Sequence, residues 1–148
     1  MIIVLDTNVV VSGILTPGGP AGRVVDLWAD GAFTVAVSPA LIEEYIGVLL
    51  RPKSRVLGPA GKRTRIVASF LDLANTVTVL PQTPLNVVAD DPADNRVLEC
   101  AAAAKAAYVV SGDRHLLQLG MFGATPVLSP DGFLEKIPLC GGSNRHNF

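Results

Sequence analysis

Two aspartates follow apolar segments of the sequence at points where strands are expected to end. Asp6 comes directly after Ile2–Leu5, and Asp113 follows Tyr108–Val110 by three positions. In doubly wound sheets, ligands bind beyond the carboxyl ends of the strands, so these carboxylates face one crevice if the two strands are neighbours. Further acids at the starts of predicted helices extend the set: Glu43, Glu44, Asp91 and Asp94.

Carboxylates that share a crevice repel each other and raise each other's pKa values unless a cation neutralises them. Oxygen ligands without a competing set of Cys and His favour Mg²⁺ or Mn²⁺ over Zn²⁺. Such an ion polarises a phosphoryl oxygen, activates a bound water and stabilises the leaving oxygen, while a carboxylate can accept the proton of the water. The pattern therefore predicts metal-dependent hydrolysis of phosphodiester bonds, with no need for an activated serine or cysteine.

Each of the later aspartates also has a structural interpretation. Asp91 and Asp113 both precede a predicted helix, where an aspartate is a favoured N-cap. Asp94 is at the third helical position, from which a carboxylate can reach back to the cap. Taken singly, each of these residues is better explained as a cap, and only their joint occurrence at successive strand ends favours a site.

Asp6 and the glutamate pair differ from those aspartates. No helix start is predicted after Asp6, so a capping role explains it poorly. Glu43 and Glu44 lie in the first turns of a helix, where any acid is favoured by the helix dipole. Helical phase does not choose between them, because both project away from the apolar stripe of that helix.

Short β-branched runs alternate with segments of helical period, which is typical of a parallel sheet covered on both faces. The predicted strands are Ile2–Leu5, Thr34–Val37, Val77–Leu80, Tyr108–Val110 and Pro126–Leu128. The predicted helices are Ala21–Ala29, Pro39–Leu50, Gly61–Ala74, Pro92–Ala106, Arg114–Leu119 and Asp131–Glu135. We therefore expect one α/β domain over residues 1–137 and a flexible tail over residues 138–148.

Composition limits the classes of function. The 148 residues include 12 basic and 13 acidic side chains, for a net charge of −1, and 49% of the residues are hydrophobic. This balance excludes a disordered chain and a protein that binds nucleic acid through bulk charge, so any such contact is local. We expect neither a disulfide nor a reactive thiol from Cys100 and Cys140, and no membrane span or signal sequence, which together predict a cytoplasmic protein.

Half of the basic residues lie within fifteen positions, at Arg51, Lys53, Arg55, Lys62, Arg63 and Arg65. Two interpretations stay open for this basic segment (residues 51–65): an ordinary charged helix end that stabilises a helix dipole, or a surface that binds phosphates beside the acids. We expect His115, a lone histidine in a short helix, to be packed or capped rather than part of the site.

Four motifs carry a resemblance to a known family. They are Asp6-Thr7-Asn8-Val9; Ser38-Pro39 leading to Glu44 and Val48-Leu49-Leu50-Arg51-Pro52-Lys53; Asp91-Pro92-Ala93-Asp94-Asn95; and Ser111-Gly112-Asp113-Arg114-His115-Leu116-Leu117. In this order and at this spacing the chain resembles the PIN domain over about residues 1–137. It is most similar to the branch of VapC-like ribonucleases assigned as toxins of toxin–antitoxin systems.

The resemblance implies a three-layer α/β/α sandwich whose parallel strands have the order 3-2-1-4-5. It also implies a ribonuclease that depends on Mg²⁺ or Mn²⁺ and whose acidic quartet falls on Asp6, Glu44, Asp94 and Asp113. The glutamate that precedes the Val-Leu-Leu-Arg-Pro-Lys stretch is Glu44, so the resemblance selects it over Glu43. Asn8 and Ser111 match positions of polar residues that hold metal-bound water or a carboxylate, and Asp91 matches an accessory acid.

As a toxin, the protein would cleave RNA, pair with a small antitoxin protein and self-associate into a homodimer or a higher oligomer. The alternative from another class is a non-catalytic PIN-like protein whose acids only bind a metal or a partner. Phospho-aspartate proteins fit less well. A phosphatase of that type has a second aspartate where Asn8 stands, and a receiver has a lysine where Ser129-Pro130 stands.

Overall fold

The structure, a computed structural model of the 148-residue chain, describes residues 1–85 and 92–137. Its strands are β1 (Ile2–Leu5), β2 (Thr34–Val37), β3 (Thr76–Thr78), β4 (Tyr108–Val110), β5 (Met121–Phe122) and β6 (Thr125–Leu128). They form one sheet in the order β3-β2-β1-β4-β6-β5. The five predicted strands are all parallel and have the expected order 3-2-1-4-5, and β5 is an unpredicted strand that pairs antiparallel with β6 at the edge.

Helices connect these strands. They are α1 (Thr7–Leu15), α2 (Pro20–Ala29), α3 (Pro39–Leu49), α4 (Ala60–Leu71), α5 (Pro92–Ala104), α6 (Arg114–Leu119) and α7 (Pro130–Lys136), with a 3₁₀ helix at Pro52–Leu57 after α3. The predicted start of α3 is confirmed, because Pro39 is its first residue and the Ser38 hydroxyl accepts a hydrogen bond from Leu41 N at 3.2 Å. A proline at that position lacks only an N–H that has no partner within the helix.

Both faces of the sheet are covered. Ile3, Val4 and Leu5 are all fully buried, although successive side chains of a strand point to opposite faces. Helix α5 packs against β1, β2 and β4, whereas α7 packs against β4, β6 and α2. The expected three-layer α/β/α sandwich is confirmed, and the carboxyl ends of β1 and β4 lie side by side at its centre.

Helix α1 is the largest difference from the prediction, and it makes the expectation that no helix starts after Asp6 wrong. The sequence Val9-Val10-Val11 has low intrinsic helix propensity, but all three valines are buried, so tertiary packing stabilises the helix. Close approach to α2 depends on Gly13, where an added Cβ would lie 2.7 Å from the Ala21 carbonyl oxygen.

Other boundaries differ by a few residues. The third strand, predicted at Val77–Leu80, ends at Thr78, and Leu80 is exposed. Three predictions fall outside the described residues: Asp91 as a cap or accessory acid, Cys140 without a disulfide or reactive thiol, and the tail at residues 138–148. No helix in the described part of the chain is long and apolar enough to cross a membrane.

Candidate active site

Asp6 and Ser111 meet where β1 and β4 end. Leu5 and Val110 are register partners in the parallel pair, and Asp6 N donates a hydrogen bond to the Val110 carbonyl at 2.9 Å. The next residue on each chain leaves the sheet there, which brings the Ser111 hydroxyl into position to donate to Asp6 Oδ2 at 2.6 Å. Ser111 is fully buried and Asp6 is 5% exposed, so the sheet itself fixes this pair.

Asp6 also caps α1. Its backbone is extended at φ −65° and ψ 153°, and its Oδ1 accepts a hydrogen bond from Thr7 N at 2.7 Å. This arrangement corrects the expectation from the sequence, but capping does not exclude a second role, since each oxygen of an ionised carboxylate has two lone pairs and can accept more than one contact. The hydrogen bonds from Ser111 and Thr7 N fix both oxygens of Asp6 in direction.

The same hydroxyl connects Asp6 to Asp113. Ser111 Oγ accepts a hydrogen bond from Asp113 N at 2.9 Å while it donates to Asp6. Asp113 caps α6, because its Oδ1 accepts from His115 N at 2.7 Å and from Leu116 N at 3.3 Å. The predicted capping role of Asp113 is confirmed, and its side chain is 27% exposed.

Glu44 is joined to this network by a residue that the sequence did not single out. Thr7 Oγ1 donates a hydrogen bond to Glu44 Oε1 at 2.8 Å. The next residue, Tyr45, is buried and its hydroxyl donates to the Leu5 carbonyl at 2.6 Å, which ties α3 to the end of β1. Glu43 is exposed, so of the two glutamates it is Glu44 that the structure joins to the other acids.

A single crevice of about 250 Å³ contains all four candidate acids, and we call it the acidic crevice. Asp94 reaches it from the first turn of α5, where it is 3% exposed. The described residues that line it are Asp6, Thr7, Asn8, Val11, Ser12, Glu44, Val48, Arg51, Lys53, Ala93, Asp94 and Asp113. Asn8 supports one wall, because its Oδ1 accepts a hydrogen bond from Gly112 N at 3.0 Å.

The environment of Asp6 raises its pKa to about 6, from an ordinary 3.8. Burial is the main cause, and the nearby charges of Glu44 and Asp113 act in the same direction, against the hydrogen bonds from Ser111 and Thr7. A buried carboxylate beside two others is unfavourable in its charged form. A cation in the crevice would relieve this repulsion.

The six cations of the basic segment have three different environments in the structure. Arg51 and Lys53 are exposed and line the acidic crevice, whereas Arg55, Lys62 and Arg65 are exposed away from its lining. Arg63 is 7% exposed, and its Nη1 donates to the carbonyls of Leu49 at 2.8 Å and Arg51 at 3.3 Å. The prediction that Arg63 faces a nucleic acid therefore does not match its position, since its guanidinium binds the end of α3.

His115 also differs from the expectation. Its side chain is 52% exposed rather than packed. Single ligand atoms of Asp94, Asp113 and His115 all lie within 4.8 Å of one another, a spacing that allows one metal ion to be shared. The carboxylates of the crevice are hard oxygen donors suited to Mg²⁺ or Mn²⁺, so the residues present fit a divalent cation.

Comparison with known proteins decides the family. The family profile described as "PIN domain" matches residues 2–115. The chain belongs to the PIN domain family. The match includes Asp6, Glu44, Asp94 and Asp113, and the predicted family is thereby confirmed.

This PIN domain is similar to a protein of Methanocaldococcus jannaschii. The uncharacterised protein MJ1680 of Methanocaldococcus jannaschii is 31% identical over 118 residues, which make up 79% of this chain and 74% of that protein.

Two solved structures share the PIN fold seen here. One, at 17% identity and a TM-score of 0.57, is VapBC2 from Rickettsia felis bound to a DNA fragment from their promoter, and the match covers 87% of this chain and 98% of that one. The other is FitAB bound to an IR36 DNA fragment, at 20% identity and a TM-score of 0.52, covering 86% and 94%. At these identities the likeness concerns the fold.

Proposed function

We propose that this protein is a divalent-metal-dependent endoribonuclease that hydrolyses RNA phosphodiester bonds, and that it is the toxin of a toxin–antitoxin pair. The observation that carries the proposal is the convergence of Asp6, Glu44, Asp94 and Asp113 on the acidic crevice of a PIN domain. The crevice holds four carboxylates, and the proposed Mg²⁺ or Mn²⁺ ion would offset part of their negative charge.

The four acids would hold the metal, which supplies Lewis-acid activation of the phosphate and of a water molecule. The residues around them keep the carboxylates in fixed directions. Ser111 and Thr7 N hold the two oxygens of Asp6, and the Thr7 hydroxyl holds Glu44. In the metal-free protein the pKa of Asp6 is raised to about 6, and a bound cation would stabilise the charged form of this carboxylate as a ligand.

The RNA backbone would be bound beside the acids by Arg51 and Lys53. Both side chains line the acidic crevice, and cations at this point offset the negative charge that would otherwise repel phosphates. The proposal also assigns phosphate contacts to Arg55, Lys62 and Arg65, which are exposed outside the lining of the crevice. Arg63 contributes through the backbone that it holds.

The proposed partners are an antitoxin protein and a second copy of this chain. The likeness to the folds in VapBC2 and FitAB supports a toxin–antitoxin role, and an antitoxin segment that offers a cation to the acidic crevice would block it. The protein would act in the cytoplasm, where its RNA substrate is found.

The test is cleavage of end-labelled RNA by purified protein with Mg²⁺ or Mn²⁺. We expect cleavage by the wild type, its loss with EDTA, and its loss in Asp6→Asn and Asp113→Asn. Glu135→Gln is the matched control, because Glu135 is an exposed acid of α7 and its loss leaves the crevice intact. Circular dichroism checks that each variant is folded.

Two outcomes would contradict the proposal. Unchanged cleavage in Asp6→Asn would remove the acidic crevice as the site of chemistry. Binding of metal without cleavage of any RNA would favour the non-catalytic alternative, in which the acids bind only a metal or a partner.

A further inference from the structure

The imidazole of His115 lies beside Asp94 and Asp113, two of the four acids of the crevice. His115 itself is not one of those four residues. Its ligand nitrogen and one carboxylate oxygen each from Asp94 and Asp113 lie within 4.8 Å of one another. Two ligands of one octahedral ion bound at about 2.1 Å are about 3 Å apart when adjacent and about 4 Å apart when opposite. The three groups are thus close to a spacing that a single ion can bridge.

A structural role accounts poorly for this imidazole. The side chain is 52% exposed, so it adds little to the core. Its Nδ1 is 3.8 Å from Asp113 Oδ1, which is too long for a hydrogen bond. That oxygen already accepts hydrogen bonds from His115 N and Leu116 N as the cap of α6. The imidazole is therefore beside the cap without being part of it.

We propose that His115 supplies a nitrogen ligand to the metal held by Asp94 and Asp113, and that this ligand makes the centre prefer Mn²⁺ and later transition ions over Mg²⁺. The inference rests on the proposed metal dependence. Its ligands come from two elements: Asp94 from α5, and Asp113 with His115 from the start of α6.

The preference follows from the chemistry of the donor. Mg²⁺ is a hard ion that binds oxygen and keeps several waters, so it gains little from an imidazole. Affinity for nitrogen ligands rises from Mn²⁺ through Fe²⁺ and Co²⁺ to Ni²⁺. A centre with carboxylates alone discriminates less among these ions than one to which His115 contributes. His115 is thus a specificity-determining residue for the metal.

The first experiment begins with the folded wild-type protein and then compares two histidine variants. Metal-free protein is loaded with Mn²⁺ and studied by electron spin-echo envelope modulation, which detects nitrogen bound to the ion. Samples grown with ¹⁵N-histidine should show a changed modulation frequency relative to unlabelled protein. Because the chain has only two histidines, His146→Ala is the matched control and should keep the signal, while His115→Ala should lose it.

The second experiment measures affinity. The free Mn²⁺ signal in electron paramagnetic resonance gives the Kd for Mn²⁺, and competition gives the Kd for Mg²⁺. His115→Ala should weaken Mn²⁺ binding by about tenfold, at the lower end of the effect of groups that support a metal site, and should change Mg²⁺ binding much less. His115→Asp supplies an oxygen instead and should bind Mn²⁺ with a smaller preference over Mg²⁺ than the wild type.

Four results would overturn the proposal: no histidine nitrogen on Mn²⁺ in the wild type, a signal that depends on His146, an equal loss of Mn²⁺ and Mg²⁺ affinity in His115→Ala, or a wild-type protein that binds neither ion. A failure of the proposed ribonuclease activity is distinguishable, because a protein that binds Mn²⁺ through His115 but cuts no RNA contradicts the activity and supports the ligand. A wild-type protein that binds neither ion contradicts both.

Discussion

The acidic side of the crevice is held by hydrogen bonds between strand ends, whereas its basic side consists of exposed side chains that follow α3. Asp6 and Asp94 are at most 5% exposed, and Ser111 and Thr7 hold Asp6 from two directions. Arg51 and Lys53 are exposed.

The difference between the fixed acids and the exposed cations fits two separate tasks, which are catalysis and the binding of phosphates. Groups that act on a reacting centre benefit from fixed positions, because preorganisation lowers the cost of reaching the transition state. Cations that bind a phosphate backbone need proximity more than exact direction. Arg63 is the exception in the basic segment, since it is buried and binds the backbone carbonyl of Arg51. It fixes the chain from which the adaptable side chains extend.

The largest expected effect is on the rate of RNA cleavage, when the charge of Glu44 is removed and that of its neighbour Glu43 is kept. Glu44→Gln should lower the rate of RNA cleavage by about 100-fold or more, because Glu44 lines the acidic crevice and is held by Thr7. Glu43→Gln removes the same charge from an exposed position and should leave the rate within about twofold of wild type. Single-turnover cleavage measures both, and equal losses would show that general charge, not position, matters.

The second effect concerns stability. Burial of the Asp6 carboxylate should lower the free energy of unfolding of the metal-free protein. The pKa of Asp6 is about 6 in the folded protein against 3.8 ordinarily. Between these values the folded state keeps a proton that the unfolded chain releases, so metal-free stability falls as the pH rises through this window and the loss is complete above it. The difference corresponds to at most about 3 kcal/mol.

Asp6→Asn has no such loss, because asparagine does not ionise. The measurement is the free energy of unfolding in urea with EDTA, for Asp6→Asn and for wild type. The value for Asp6→Asn minus the value for wild type should be about 2 kcal/mol larger at pH 7.5 than at pH 4. Comparing the two pH values cancels any constant cost of the altered hydrogen bonds. A gap between the proteins that is the same at both pH values would contradict the predicted burial of charge.

The smallest effect is expected on the basic side. In a Glu44→Gln background, where bound RNA is expected to be cut much more slowly, Arg51→Ala or Lys53→Ala should each reduce the slope of log affinity against log salt by about 0.7. Lys136→Ala removes an exposed cation of α7 and should leave the slope unchanged. Filter binding over a range of salt concentrations measures this, and a slope that no substitution alters would place the RNA elsewhere.

Sequence predicted the features that depend on local pattern. Buried strands such as β1 and β4 are short β-branched runs, and acids that follow them are visible without coordinates. The apolar stripe of α3 left Glu43 and Glu44 equivalent, because both project from the same side of the helix. In the structure, the hydrogen bond from Thr7, 37 positions away in the chain, and the place of Glu44 in the acidic crevice distinguish them.

Features that depend on tertiary packing could not be predicted in this way. Helix α1 forms against local propensity because its valines are buried, and so Asp6 caps a helix that the sequence does not indicate. Arg63 is a second example. It lies within a run of cations in the sequence, and that run gives no sign that its guanidinium donates a hydrogen bond to the carbonyl of Leu49 at the end of α3. His115 lies near Asp94 because the start of α6 is close to the first turn of α5. No local sequence pattern predicts that proximity.

The hydrogen bond between Ser111 and Asp6 joins residues 105 positions apart, and this separation has a consequence in time. A chain emerging from the ribosome carries Asp6 early, but the partner strand β4 and Ser111 are made only after most of the domain. Long-range pairing of this kind forms late. A protein that is proposed to cut RNA therefore completes its cutting site only after Ser111 has been synthesised, 105 positions after Asp6.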